Sequence, residues 1–263
     1  MQVAGRVALV TGASSGIGRA TALMLARRGA RVLAHGRDPG RTAELARQVG
    51  GTPLLADLAA PGAADDLATR ATAVHGRIDL LVANAGVGLS APFTAVDPAE
   101  IDRVLAVDLV APIRLVRAVL GPMVERGAGR VVLVTSVAGR TGVAGEAVYA
   151  AAKAGLDAFA ESVRLELSGT GVGVTVLVPG VVDTRFFLGR GAAPARRVPR
   201  PVSAERAAAA IVRAVADDRP EVWVPRWLRV APAVRAVAPG AFRRLSARFG
   251  EPERIRDDGR PPT

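Results

Sequence analysis

The sequence contains no cysteine, which excludes a disulfide framework and any thiolate metal site. Histidine is nearly as scarce: His35 and His75 are the only two, too isolated to suggest a metal centre. Aromatic residues make up 3% of the chain, and no apolar run approaches the roughly 20 residues that cross a bilayer. The opening residues, Met1-Gln2-Val3-Ala4-Gly5-Arg6, lead straight into an apolar stretch without a signal-peptide core. A cytoplasmic location is therefore expected. Lysine is the most telling scarcity. Of 35 basic residues only Lys153 is lysine, so arginine serves wherever charge alone suffices.

What is present is an ordinary globular composition, 50% apolar and 22% charged over 263 residues, too apolar for extended disorder. The net charge of +11 invites a nucleic-acid reading, but the charge is concentrated. Residues 185–200 hold five arginines and residues 226–248 hold six, with no acid in either, and the remainder balances to neutrality. No helix-turn-helix, zinc finger or aromatic RNA-binding signature accompanies them, so nucleic acid is not an expected partner. Such segments suit a solvated surface, an anionic lipid or acidic partner, or a phosphate-bearing ligand.

Short apolar or β-branched runs alternate with longer amphipathic ones. Strands are expected at 6–10, 31–34, 53–56, 80–83, 130–135, 172–178 and 221–224. Helices are expected at 16–28, 41–49, 63–75, 98–125, 146–167 and 204–216. About seven strands separated by helical crossovers call for an α/β fold with a doubly wound parallel sheet and helices on both faces. The strands are nearly all apolar rather than alternating, which fits burial from both sides. Nothing divides residues 1–225, and a single domain is expected there, with 226–263 as a basic amphipathic extension.

The first strand runs into Thr11-Gly12-Ala13-Ser14-Ser15-Gly16-Ile17-Gly18, where a helix begins. Gly12 permits a tight turn, Gly16 lets backbone approach a pyrophosphate, and Gly18 allows close packing of the helix. A glycine-rich turn after a first strand and before a helix is the context that dinucleotide binding requires, with phosphates facing the helix N-terminus. The spacing G-x-x-x-G-x-G, rather than G-x-G-x-x-G, resembles the cofactor signature of the short-chain dehydrogenase/reductase family. Other marks of that family follow in order: Asn84-Ala85-Gly86 after the fourth strand, Ser136 ending the fifth, Tyr149 and Lys153 opening a long helix, then Pro179-Gly180 with Thr184 behind. The resemblance covers about residues 5 to 225 and implies a Rossmann-like fold. It also implies a cofactor site built from Gly12, Ser14, Ser15, Gly16, Ile17, Gly18, Asn84, Ala85, Gly86, Tyr149, Lys153, Pro179, Gly180 and Thr184, and a homo-oligomer.

Composition points independently to one pair. Tyr149 is the only tyrosine and Lys153 the only lysine, four residues apart and so on one helical face. Reducing a ketone requires a proton at the carbonyl oxygen, and a phenol with a pKa of about 10 becomes a useful base only when a nearby ammonium favours its ionised form. Lysine is compact and has three donors, which arginine's planar fork does not reproduce. Ser136 is placed to hold the substrate oxygen beside Tyr149. The resemblance implies that Lys153 also binds the nicotinamide ribose. One departure stands out: where the family commonly has an asparagine that helps relay protons to the lysine, this chain has Asp108.

In NAD-preferring relatives an acid closes the second strand and holds the adenosine ribose. Here Arg37 follows that strand, suited to a 2′-phosphate, and NADP(H) is favoured over NAD(H). Asp38 is expected to cap the next helix, and Asp57 resembles the family residue that contacts the adenine amino group. Six of nine aromatics lie beyond residue 180. Phe186 and Phe187 either line an apolar substrate pocket, suited to a ring-bearing ketone or alcohol, or fill the core. Trp227, Val230, Ala231, Val234 and Val237 share one helical face of the extension among arginines. That face has two readings, contact with a membrane surface or packing on the body or a subunit partner. The leading functional expectation is an oxidoreductase interconverting an alcohol and a ketone or aldehyde. The alternative is a catalytically silent NADP(H)-sensing protein of the same fold.

Overall fold

Seven short apolar strands set the architecture. The computed structural model describes residues 1–184, 186 and 201–249. Strand β1 (Val7–Val10) is followed by α1 (Gly16–Ala26), β2 (Arg31–Gly36), α2 (Pro39–Val49), β3 (Thr52–Leu55), α3 (Ala63–His75) and β4 (Leu80–Ala83). Next come α4 (Pro98–Leu105), α5 (Ala111–Glu125), β5 (Gly129–Val134), α6 (Val137–Thr141), α7 (Ala147–Glu166) and β6 (Val172–Pro179). The remaining described elements are β7 (Val182–Asp183), β8 (Val202–Ser203), α8 (Ala204–Asp217), β9 (Glu221–Val224), α9 (Val230–Val237) and α10 (Pro239–Phe249).

The sheet is entirely parallel in the order β3-β2-β1-β4-β5-β6-β9, with Leu9 beside both Leu33 and Leu81, and Leu133 beside Val176. Successive strand residues point to opposite faces, and each face is covered. Leu9, Leu81 and Leu133 pack against Leu67 of α3, Leu115 of α5 and Leu156 of α7. Val10, Val82 and Val132 pack against Leu25 of α1, Leu45 of α2 and Ile211 of α8. Each such leucine or valine is worth about 1.5–3 kcal/mol of burial, which is why the strands need no polar face. The expected doubly wound sheet with helices on both sides is the fold observed.

Three local features differ from the sequence expectation. The helix expected at 98–125 contains a wider π turn, Ala106–Val110, between α4 and α5. Pro112 has no N–H to give the carbonyl of Asp108 four residues earlier, and this accounts for the loosened ladder there. The short α6 was not expected; Ser136 starts it by accepting a hydrogen bond from the Ala138 N–H at 3.1 Å. Finally, β7 and β8 form a separate two-stranded parallel pair, and Ser203 of β8 caps α8 through the Arg206 N–H at 3.2 Å.

Candidate active site

Between β1 and β4 the crossovers diverge to opposite sides of the sheet, opening a crevice at the carboxyl ends of the strands. The loop after β1 enters it. Gly12 has φ +64° and Gly16 has φ +54°, a left-handed backbone in which glycine is unstrained. Gly18 is closely confined: a Cβ there would lie 2.4 Å from the Gly12 carbonyl oxygen and 2.5 Å from Asn84 Nδ2. Ser15 precedes α1 without making a side-chain cap, leaving the first helical N–H groups for a ligand.

Two residues that the sequence reading passed over hold this loop. The Thr11 hydroxyl, buried, accepts from the backbone N–H groups of Asn84 and Ala85, each at 2.9 Å. Asn84 Nδ2 returns a bond to the Thr11 carbonyl at 2.9 Å, so the glycine loop and the loop after β4 are tied together. His35 is buried at the end of β2, with Nδ1 3.4 Å from the Gly12 N–H and Nε2 3.2 Å from the Ala56 carbonyl. Burial brings its pKa down to about 4, so at neutral pH the uncharged ring accepts from Gly12 and donates to Ala56. It is a brace between three strands' ends rather than a metal ligand.

Beyond β2, Ser14 crowds Gly36: a Cβ on that glycine would sit 3.3 Å from the Ser14 hydroxyl oxygen. Arg37 follows, mostly exposed, with its guanidinium 4.0 Å from the Asp57 carboxylate. Asp38 is withdrawn from this corner as the sequence indicated. It caps α2 by accepting from the Arg41 N–H at 2.9 Å and pairs with the Arg41 guanidinium at 2.7 Å. Thr184 lies against Gly16, where a Cβ would approach its methyl group to 2.9 Å.

On the other side of the crevice, three side chains converge. Tyr149 and Lys153 are both buried on one face of α7, with the ammonium 5.6 Å from the centre of the phenol ring. Ser136, at the carboxyl end of β5, is buried close enough to the phenol to favour its ionised form. Lys153 Nζ donates to the Val134 carbonyl at 3.1 Å and pairs with Asp108 at 2.9 Å. The π turn is what places Asp108 there, fully buried, with its second oxygen accepting from the Val87 N–H at 2.9 Å. A Cβ on Gly86 would lie 2.7 Å from Asp108 and 3.6 Å from Lys153, so only glycine allows this backbone to pack on the pair.

Burial pushes the Tyr149 phenol up from its ordinary value; the Lys153 ammonium and Ser136 oppose this, and the Asp108 charge adds to it. Burial alone works to discharge Lys153, but Asp108 and Tyr149 outweigh it and hold the ammonium charged, above its ordinary range. The Asp108–Lys153 pair is electrically neutral overall, whichever partner holds the shared proton. At Tyr149 the Lys153 charge is the stronger of the two, and Asp108 offsets part of it.

The structure thus brings Ser136, Tyr149, Lys153 and Asp108 together, and sets Gly12, Gly16, Gly18, Asn84, Gly86 and Thr184 around the adjoining crevice. Phe186 stands beside Tyr149 with ring centres 5.7 Å apart and planes tilted by 52°. Phe187 lies outside the described residues. Pro179 ends β6, and Gly180 is covered by Leu228, whose methyl would come within 2.5 Å of a Cβ there.

Residues 6–193 match the family model described as short chain dehydrogenase. An uncharacterized oxidoreductase of Myxococcus xanthus is 42% identical over 186 residues, 69% of this chain and 74% of its own. The ketoacyl reductase HetN of Nostoc is 32% identical over 257 residues, 94% of this chain and 90% of its own. A metagenomic short-chain oxidoreductase in complex with NADP superposes with a TM-score of 0.72 at 35% identity, covering 85% of this chain and 98% of that one. A short-chain dehydrogenase/reductase from Burkholderia phymatum in complex with NAD gives 0.82 at 24% identity, covering 90% and 94%, a likeness of fold.

Proposed function

The chain belongs to the short-chain dehydrogenase/reductase family, oxidoreductases acting on alcohol and carbonyl groups, and from that premise we propose an NADP(H)-dependent enzyme in which Tyr149 moves the proton. The observation that carries this is the convergence of Ser136, Tyr149 and Lys153 at the carboxyl edge of the sheet. The crevice fits a dinucleotide: glycines with no room for a side chain and helical N–H groups without a side-chain cap. When bound, the nicotinamide supplies the hydride. Ser136 holds the substrate oxygen by hydrogen bond, Tyr149 gives it a proton during reduction and takes one during oxidation, and Lys153 orients the ribose. Formation of an alcohol from a ketone at the expense of NADPH is the test, and failure across a broad panel would count against the reading.

The glycine confinement gives a sharp expectation. Gly18→Ala pushes a methyl group into the Gly12 carbonyl and Asn84, neither of which yields without opening the loop. Overpacking of this kind costs ~1–3 kcal/mol, so NADPH affinity should fall about tenfold or more in a fluorescence titration. Unchanged affinity would mean that the loop does not cradle the cofactor.

NADP(H) is favoured because Arg37 follows β2, whose last residue Gly36 lies against Ser14, while Asp38 is occupied as a helix cap. The Asp57 carboxylate keeps the Arg37 guanidinium over this corner. Losing a charge-assisted bond to a 2′-phosphate costs ~2 kcal/mol, so Arg37→Ala should weaken NADPH binding roughly thirtyfold and leave NADH nearly unchanged. Equal losses for both nucleotides would contradict the assignment. Phe186 against Tyr149 favours an apolar or ring-bearing carbonyl substrate. The family resemblance adds self-assembly to the reading, which light scattering of the purified chain tests.

A further inference from the structure

The extension beyond β9 turns its apolar face outward. Trp227, Val230, Val234 and Val237 recur at intervals of three and four residues, forming one stripe along the helical segment. Their exposures are 55%, 55%, 39% and 88%, values that belong to no packed face. Leu245 of α10 is also exposed, at 54%. This is not a frayed end. Leu228 is buried in the core, Ala231 and Pro232 are half-buried, and Arg235 donates to the Arg140 carbonyl at 2.7 Å. Arg140 is itself fixed by Asp157 at 2.7 Å and Glu221 at 2.6 Å. The segment is docked, and it presents its stripe to the outside.

Charge identifies what the stripe meets. Residues 226–248 contain six arginines and no acid, and Arg226, Arg229, Arg243 and Arg244 are exposed. A second copy laid on this face would bring arginines against arginines. Residues 250–263 offer Ile255 as their single large apolar side chain, too little to cover the stripe. We propose that this face seats the protein on an anionic lipid surface, the valines and Trp227 entering the headgroup boundary and the arginines meeting lipid phosphates. Because every strand of the sheet is parallel, β9 delivers the extension to the edge that carries the crevice. Leu228 packs on Gly180 at that same edge. Seating there sets the mouth of the site beside the bilayer, where an apolar carbonyl compound would partition. Among the described residues no helix is long and apolar enough to cross a membrane, so the contact is a surface one.

The test uses the full chain and vesicles of phosphatidylcholine with and without phosphatidylglycerol. Flotation with the anionic vesicles, about tenfold weaker with the neutral ones and reversed by salt, is expected. Trp227 fluorescence should shift to the blue on binding, since the other tryptophan, Trp223, is already buried. Val234→Glu, and separately a variant with Arg226, Arg229, Arg243 and Arg244 changed to Gln, should each lose retention about tenfold while keeping NADPH affinity. Those residues lie outside the catalytic group, so the result is independent of the chemistry proposed above. Failure of the wild type to float, or flotation indifferent to both variants, overturns the proposal. So does a Val234→Glu protein that loses only self-association in light scattering.

Discussion

Replacing Tyr149 by phenylalanine is expected to lower kcat by about two to four orders of magnitude while NADPH affinity stays within about twofold. The two halves of this result have separate causes. The ring is buried and packs beside Phe186, and phenylalanine keeps that packing. The hydroxyl is the acidic group whose ionisation Ser136 and the Lys153 ammonium favour, and without it the ring has no proton to give an alkoxide. Burial holds the phenol protonated at neutral pH, so the group is ready to donate during carbonyl reduction. The reverse reaction needs the phenolate. Reduction should therefore persist as pH rises until the phenol ionises, whereas alcohol oxidation should climb with pH over the same interval. Measuring kcat by product formation and affinity by titration on the same preparations separates the two effects. Similar turnover in both proteins would remove Tyr149 from the mechanism.

The second large effect concerns Asp108. This carboxylate, 2.9 Å from Lys153, offsets part of the ammonium's pull on Tyr149. Asp108→Asn leaves Lys153 beside the Val134 carbonyl and removes the carboxylate charge. The sign follows directly. Asp108 raises the phenol and Lys153 lowers it, so deleting the negative charge favours the phenolate. The rising limb of alcohol oxidation should move to lower pH, with a several-fold faster rate at neutral pH. Reduction should begin to fail at lower pH than in the wild type. Both variants lose the counter-ion, and Asp108→Ala also loses the side-chain volume and the acceptor of the Val87 N–H. Stranding one member of a buried pair costs roughly 3–5 kcal/mol, visible in denaturant unfolding, whereas Asn retains the volume and much of the hydrogen bonding. Superimposable pH profiles for wild type and Asp108→Asn would show that Asp108 has no electrostatic hold on Tyr149. On this account the charge of the only lysine in the chain is partly offset by Asp108, and the site is biased toward reduction.

The strands and main helices were legible because residues such as Leu9, Leu81 and Leu133 form apolar runs that only a sheet covered on both faces can bury. Tyr149 and Lys153 were legible because each is unique and the helical period puts them on one face. Other features left weaker traces. Five residues of α6 are too few for periodicity to register, and its sole sign is a capping serine. The π turn hid inside an unbroken apolar pattern, although Pro112 marked the place where the ladder must loosen. His35 and Thr11 act through contacts far away in sequence, 21 residues between His35 and Ala56 and 73 between Thr11 and Asn84. A polar side chain at the end of an apolar strand was the only hint. The extension shows a different limit: periodicity groups Trp227, Val230, Ala231, Val234 and Val237 on one face but is silent about which way it turns, and Ala231 is half-buried at its edge. Leu228 and Arg235, anchored to the body, decide it.

The most direct measurement incubates the purified protein with NADPH and aliphatic, aromatic and steroid ketones, together with a 3-oxoacyl thioester, and quantifies alcohol formed against NADPH consumed. One alcohol per NADPH with at least one of these compounds, abolished by Tyr149→Phe, is the result expected. Tight NADPH binding with no alcohol formed from any of them would contradict it, and would mark the crevice as a nucleotide sensor.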